Sequence, residues 1–348
     1  MFAKAAVLFE SKKPLKIIKI KIPSLKFGQV LVKIYYSGIC GSQLMEIDGL
    51  RGKDKYIPHT LGHEATGEVL EIGAGVKKVK KGDKVFLSWI KGTGIDAEPA
   101  KYKFKNKKIN SGKISTFQSY AIISENRVNL LPNKINFFEG VILGCALPTG
   151  GGIILNEIKC KNSKDNLLIW GAGGIGLSAL MIAKINKFNK IIVVDKNTKK
   201  LIRIRKLFNV KTINSNDKKI LSKIKKFTNN KGIKYIVESS GQTSCIEECF
   251  KILNTNGTLV FASHPKHDSK ICIDPFELIS GKKIKGTWGG ATNIEKDSKV
   301  YSKYILQKKI KLKKIINQTY RIEKINEAIL DLKKSKVFRP IIEFSHDD

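Results

Sequence analysis

The sequence predicts an α/β protein of two domains, a barrel of short antiparallel strands and a doubly wound parallel sheet, and three observations carry that expectation. The chain has 348 residues, more than one core usually organises, which implies two domains of roughly 150 residues each. Up to about residue 145, apolar residues come in short alternating or clustered runs punctuated by Gly, Pro and Asn, the pattern of antiparallel strands. From Asn166 onward, strand-like apolar runs alternate with helical stretches, which implies parallel strands with helices on both faces.

Taken in order, the first part offers KAAVLF, QVLVKIYYSG, GEVLEIG, KVFLSWI and YAIISENRVNLL as strands. The second opens with NLLIWGAGGIGLSALMIAKIN, a strand, a glycine turn and a helix. It continues with KIIVVDKN, GIKYIVESSG and GTLVFAS as further buried strands. After Gly290 come lysine-rich helices, and FRPIIEF reads as a closing strand.

Composition narrows the function classes. Hydrophobic residues make up 42% and charged residues 27% of the chain, so a packed core is expected rather than disorder. No apolar run reaches the ~20 residues that cross a bilayer. The longest uncharged stretch, 141–156, is broken by glycines and Pro148, and MFAKAAVLFESKK is too short in its apolar part for a signal peptide. A cytoplasmic protein with no membrane partner is expected. The formal charge of +35 would attract polyanions. Arginine, however, stands only at 51, 127, 203, 205, 321 and 339, so lysine supplies nearly all 65 basic residues. Surfaces that read phosphates usually use the arginine fork as well, so solvated lysine faces are expected and no nucleic-acid partner. The six cysteines, Cys40, Cys145, Cys160, Cys245, Cys249 and Cys272, suggest no secreted disulfide framework. Cys245 and Cys249 lie one helical turn apart and read as a buried helix face, which leaves Cys40 and Cys145 for chemistry.

Gly171, Gly173 and Gly176 form G-x-G-x-x-G, with Gly174 inside it, directly after a strand and opening a helix. The first glycine permits the tight turn, the second lets a pyrophosphate approach the backbone, and the third lets helix pack on strand. The phosphates then meet free N–H groups at the helix N-terminus. Asp195, about 20 residues on at the end of IIVVD, is placed to accept the ribose hydroxyls and to repel a 2′-phosphate, which favours NAD. Lys196, Lys199 and Lys200 soften that rejection and leave NADP open.

His63 in LGHEATGEV, Cys40 in SGICGSQ and Cys145 in LGCALPTG make a second constellation. Two thiolates and one imidazole suit tetrahedral zinc, and three protein ligands leave the fourth position to water or substrate. The separations are too long for a zinc finger and fit a site assembled from separate elements. No H-E-x-x-H follows His63, which argues against a zinc protease.

GICGS, LGHEATGEV, VKKGDKV, GCALPTG and GAGGIG, in this order, resemble the zinc-dependent alcohol dehydrogenases of the medium-chain dehydrogenase/reductase superfamily, over nearly the whole chain. The resemblance implies a split catalytic domain with a GroES-like barrel, 1–146 and 291–348, a Rossmann coenzyme domain, 147–290, and an active site in the cleft between them. It implies Cys40, His63 and Cys145 as zinc ligands, Glu64 as the acidic neighbour that assists ligand exchange, and Ser42 as the hydroxyl that hydrogen-bonds the substrate oxygen and begins proton removal. Thr149 is implied to pack on the nicotinamide, Lys200 to contact the cofactor ribose, and Arg339 to contact the pyrophosphate. The implied reaction is hydride transfer between an alcohol, or its aldehyde or ketone, and NAD, with zinc stabilising the alkoxide. The family is usually dimeric or tetrameric, so a homo-oligomer is implied too.

Three departures from the family stand in the sequence. The stretch SWIKGTGIDAEPAKYKFKNKKINSGK has no cysteine where the best-known members bind a second, structural zinc, so one catalytic zinc per chain is expected. Tyr102 and Phe104 are candidates to anchor that lobe by packing, and the 88–113 loop to shape an entrance. Met45 stands where several members keep a proton-relaying histidine. Gln43 stands where an acid usually orients the metal-bound histidine; an amide oxygen accepts the imidazole N–H more weakly, which predicts slightly weaker zinc binding. Glu46, Asp48 and Arg51 read either as contacts to a polar substrate or as surface charges. A polyol, sugar-derivative or thiol-adduct dehydrogenase of the same fold therefore stays open. Further off are a zincless reductase and a basic nucleic-acid-binding protein.

Overall fold

A computed structural model of the chain describes residues 1–159, 165–310, 312, 315, 316 and 318–346; Cys160 lies outside them. The chain divides into two compact units, Met1–Ala146 with Asn293–Asp348, and Leu147–Thr292. Strands are numbered in chain order throughout both.

The first unit holds two sheets. A closed barrel runs β1 (Phe2–Leu8), β2 (Lys16–Lys21), β7 (Lys101–Phe104), β8 (Lys107–Asn110) and β4 (His59–Thr60). The second sheet has β10 (Val128–Leu130), β6 (Lys84–Ser88), β5 (Glu64–Ile72), β3 (Gln29–Gly38), β18 (Ile341–Glu343) and β17 (Thr319–Arg321) side by side, with β9 (Tyr120–Ser124) also on β3. Alternation in the sequence sets which side chains fill the core: Val30, Val32 and Ile34 of β3 are fully buried in one cluster with Ala65, Val69 and Val85. The run YAIISENRVNLL is two strands, β9 and β10, separated by a 3-10 turn at Glu125–Arg127.

The cysteine-free lobe contains the hairpin β7–β8, which the sequence offered only as loop. Its strands carry one inward residue each among lysines, so the alternation is too short to stand out. Tyr102 and Ile109 pair across the hairpin and are both fully buried. The Tyr102 hydroxyl accepts from Ile122 N–H at 2.8 Å and Gln118 Nε2 at 2.9 Å, and Phe104 packs edge-on against Phe9 at 6.4 Å. The Glu125 carboxylate fastens the neighbouring loops, accepting from the N–H groups of Lys77 (2.6 Å), Lys78 (2.8 Å) and Ile95 (2.7 Å).

The second unit is a parallel sheet of β11 (Asn166–Trp170), β12 (Lys190–Asp195), β13 (Lys211–Asn214), β14 (Ile233–Glu238), β15 (Leu253–Phe261) and β16 (Lys283–Gly286). Their spatial order is β13-β12-β11-β14-β15-β16. That is the doubly wound arrangement, whose strand order reverses beside the first strand, where such sheets bind their ligands. Near-continuous apolar runs form its centre because both faces are covered: Leu168, Trp170, Ile192, Val194, Ile236 and Leu259 belong to one buried cluster. Cys249 is fully buried and Cys245 half-buried on the helix Thr243–Ile252, in or against this cluster. Among the described residues, no single helix is long and apolar enough to cross a membrane.

Candidate metal centre and glycine loop

Three local structures bring three ligand atoms together in the first unit. Cys40 ends the segment after β3 in extended conformation and is the N-cap of the helix Gly41–Ile47. His63 stands between β4 and β5, after Gly62, whose φ of +92° an L side chain rarely adopts. Cys145 follows the 3-10 segment Val141–Gly144. One ligand atom from each of Cys40, His63 and Cys145 lies within 4.8 Å of the others. His63 Nε2 is 3.1 Å from Cys145 Sγ, and the two sulfurs are 4.0 Å apart. A tetrahedral zinc with ordinary Zn–S bonds sets its sulfurs about 3.8 Å apart, so the donor set and its spacing fit that ion.

The surroundings support the same use. Ser42, in the first turn after Cys40, has a buried hydroxyl with no hydrogen-bond partner, the state expected of a group whose partner is a ligand. The Trp89 ring lies 6.3 Å from that of His63. A hydrogen bond from Cys145 draws the Cys40 thiol well below the ordinary thiol range against its burial, with Arg339 and His63 adding to the effect.

Glu64, the first residue of β5, is fully buried and ion-paired with Arg339, itself 3% exposed. Its Oε2 has no partner. Burial raises its pKa although the Arg339 charge opposes the rise. Two glycines make room for it. A Cβ on Gly38 would lie 2.0 Å from Glu64 Oε1, and one on Gly144 would lie 2.3 Å from Leu87 O and 2.7 Å from Glu64 Cβ. The sequence reading passed over both, although each sits within two residues of Cys40 or Cys145. It also passed over Trp89 and the Glu64–Arg339 pairing. Glu46 pairs with Arg51 at 3.2 Å and Asp48 with Lys333 at 2.6 Å, so these charges already have protein partners.

In the second unit the glycine loop joins β11 to the helix Gly174–Ile185. Gly171 has φ of +91°, and a Cβ on Gly176 would stand 1.9 Å from Gly171 O, so close helix–strand packing requires both. A Cβ on Gly173 would meet no protein atom within 4 Å. That glycine leaves open space beside the helix N-terminus, which is what an approaching phosphate needs. Asp195, at the end of β12, accepts from Ala172 N–H (2.9 Å) and Lys200 Nζ (3.2 Å) on Oδ2 and from Asn197 N–H (2.9 Å) on Oδ1. Carboxylate oxygens accept about two bonds each, so Oδ1 retains capacity for a hydroxyl. Thr149 is 3% exposed with an unpartnered hydroxyl. Its neighbour Gly150 lies against the same helix, where a Cβ would come 2.1 Å from Ile175 O. The residues present fit a dinucleotide.

Comparison with known proteins places these features in a context. Residues 26–133 match the alcohol dehydrogenase GroES-like domain, and residues 174–307 match the zinc-binding dehydrogenase domain. An alcohol dehydrogenase zinc-binding domain protein from Burkholderia ambifaria is 25% identical, with 99% of this chain and 100% of that one covered and a TM-score of 0.90. Benzyl alcohol dehydrogenase from Acinetobacter calcoaceticus is 25% identical over 99% of this chain and 100% of its own, with a TM-score of 0.87. Zinc-dependent alcohol dehydrogenase 2 from Streptococcus pneumonia, 22% identical over 99% of each chain at a TM-score of 0.82, shares the fold.

Proposed function

We propose that this chain, which belongs to the zinc-dependent alcohol dehydrogenase family of the medium-chain dehydrogenase/reductase superfamily, interconverts an apolar alcohol and its carbonyl partner with NAD. The family makes it an oxidoreductase acting on CH–OH groups. The convergence of Cys40, His63 and Cys145 beside the unpartnered Ser42 hydroxyl carries the reading.

A bound zinc ion would supply the Lewis acidity that lowers the pKa of an alcohol hydroxyl, and a bound NAD would supply the hydride acceptor. Cys40, His63 and Cys145 would hold the ion. Ser42 would accept a hydrogen bond from the alcohol and begin removal of its proton, releasing its own hydroxyl proton onward in the same relay; Met45 offers no group to receive that proton, so water would take it. Glu64, its charge balanced by Arg339, would assist ligand exchange at the site. Gly171, Gly173, Gly174 and Gly176 would seat the phosphates, Asp195 would accept from the ribose beside Lys200, Thr149 would pack on the nicotinamide, and Arg339, which Glu64 already engages, would contact the pyrophosphate as well. Asp195 supports NAD over NADP because its carboxylate repels a 2′-phosphate, Lys200 notwithstanding.

The pairing of Glu46 with Arg51 and Asp48 with Lys333 favours an apolar substrate over a polyol, in keeping with the Trp89 ring near His63 and with the benzyl alcohol activity in the name of one similar structure. We place the protein in the cytoplasm, where thiol ligands stay reduced, with neither nucleic acid nor membrane as partner. A homodimer is supported by the open edge of β16, near which Phe276, Ile279 and Trp288 are 71%, 82% and 75% exposed.

The test is zinc per chain in protein purified without added metal, beside Cys145→Ser. About one zinc, lost in the variant, with benzyl alcohol turned over by NAD, is expected. Folded protein without zinc would overturn the reading.

A further inference from the structure

Gln43 touches the metal centre at two points, and the two make opposite demands on it. Its Oε1 accepts the N–H of Cys40 at 2.8 Å, while its Nε2 lies 2.6 Å from Nδ1 of His63. A primary amide has one acceptor atom and one donor atom. With the oxygen on Cys40, the NH2 group faces Nδ1, which must then be the bare, accepting nitrogen. The ring proton is thereby placed on Nε2, where Cys145 Sγ receives it at 3.1 Å.

A metal ligand needs the reverse, with Nε2 bare and Nδ1–H donated to an acceptor. Turning the amide over supplies that acceptor but sets its NH2 against the N–H of Cys40. Gln43 is fully buried, so solvent does not relieve the clash, and a donor buried without an acceptor forfeits its hydration with nothing in return. Either orientation leaves one contact mismatched.

We propose that Gln43 is a positioning residue that holds His63 in the tautomer unable to ligate through Nε2, so that zinc loading is coupled to a turn of the Gln43 amide and the bound ion exchanges readily. The inference rests on reading the site as a zinc centre. Gln43→Glu keeps length and shape and offers two acceptor oxygens, one for each donor.

Zinc release from the purified holoenzyme to a chromogenic chelator is expected to be about 10-fold slower in Gln43→Glu than in the unsubstituted protein. Nitrogen NMR of His63 in chelator-treated protein is expected to show Nε2–H in the unsubstituted chain and Nδ1–H in the variant. Equal release rates, or Nδ1–H in the metal-free unsubstituted chain, overturn the inference. Absence of zinc from both proteins sinks the zinc reading instead, and the tautomer measurement, which needs no metal and no folded variant, still decides the part played by Gln43.

Discussion

Arg339 donates to the Glu64 carboxylate in a buried ion pair that joins residues 275 positions apart in the chain. Both charges depend on the pairing, because neither has solvent to turn to. Arg339→Met leaves the carboxylate uncompensated and is expected to destabilise the fold by about 3–5 kcal/mol. Adding Glu64→Gln should restore much of the loss, since replacing both partners removes the stranded charge. Urea unfolding of the single and double variants reads both numbers. A single variant within about 1 kcal/mol of the parent would show that the pair is not coupled as described.

The glycine loop separates a ligand role from a packing role. Gly173→Ala puts a methyl group into empty space, so stability should change by less than about 0.5 kcal/mol, while NAD affinity should fall about 10-fold, or 1.4 kcal/mol. Gly176→Ala drives a methyl group into Gly171 O and should destabilise the second unit whether or not cofactor is present. Thermal melts and NAD titrations together check the contrast. Equal NAD binding by Gly173→Ala and the parent would remove the phosphate from that space.

Glu125 holds three backbone N–H groups, those of Lys77 and Lys78 ahead of β6 and that of Ile95 in the lobe. Burial pushes its carboxyl up, but these bonds and Lys78 bring it below its ordinary value. Its contribution is therefore complete above the unfolded glutamate pKa and disappears as pH falls through the lower folded value. Glu125→Ala, which strands three donors, should cost about 2–4 kcal/mol and open the 91–113 segment to protease at neutral pH, where the parent resists. Parental resistance in the variant would mean that packing alone holds the lobe.

Glu238 titrates in the opposite sense. It is buried at the end of β14, with Ser240 N–H on Oε1 at 2.7 Å and no partner for Oε2, and burial pushes its pKa from 4.5 to about 7. Between those values the folded chain keeps a proton that the unfolded chain has released, so stability should fall by about 3 kcal/mol as pH rises across that window. Glu238→Gln should flatten this slope. Denaturant midpoints at several pH values decide it; identical slopes would mean that the carboxyl stays ionised.

The Cys40–His63–Cys145 cluster and the glycine loop could be picked out of the sequence because each kind of chemistry needs a few residue types in fixed order, and the structure brings the first three together and sets the glycines between strand and helix. The long strands were legible because alternation continues over enough residues to stand clear of the lysine background, as in β3 and β5. The hairpin β7–β8 was not, since one inward side chain per strand leaves no period to detect. Nor could the chain reveal the space that Gly38 and Gly144 leave for Glu64, a packing fact that arises only when segments distant in sequence meet. The Gln43 mismatch has the same origin: the residue type is visible, but the two donors that compete for its one oxygen appear only in three dimensions.

The strand β18 pairs with β3 at Tyr36, Ser37 and Gly38, and Arg339 comes just ahead of it. The same pairing runs on into the backbone bond from Ile39 N–H to Pro340 O at 3.1 Å, so the strand that leads into Cys40 also fixes the segment that brings Arg339 to Glu64. The countercharge of the buried acid is thus supplied by strand addition, and the electrostatics around the cysteine–histidine cluster are set only when the two sequence segments of the first unit have docked.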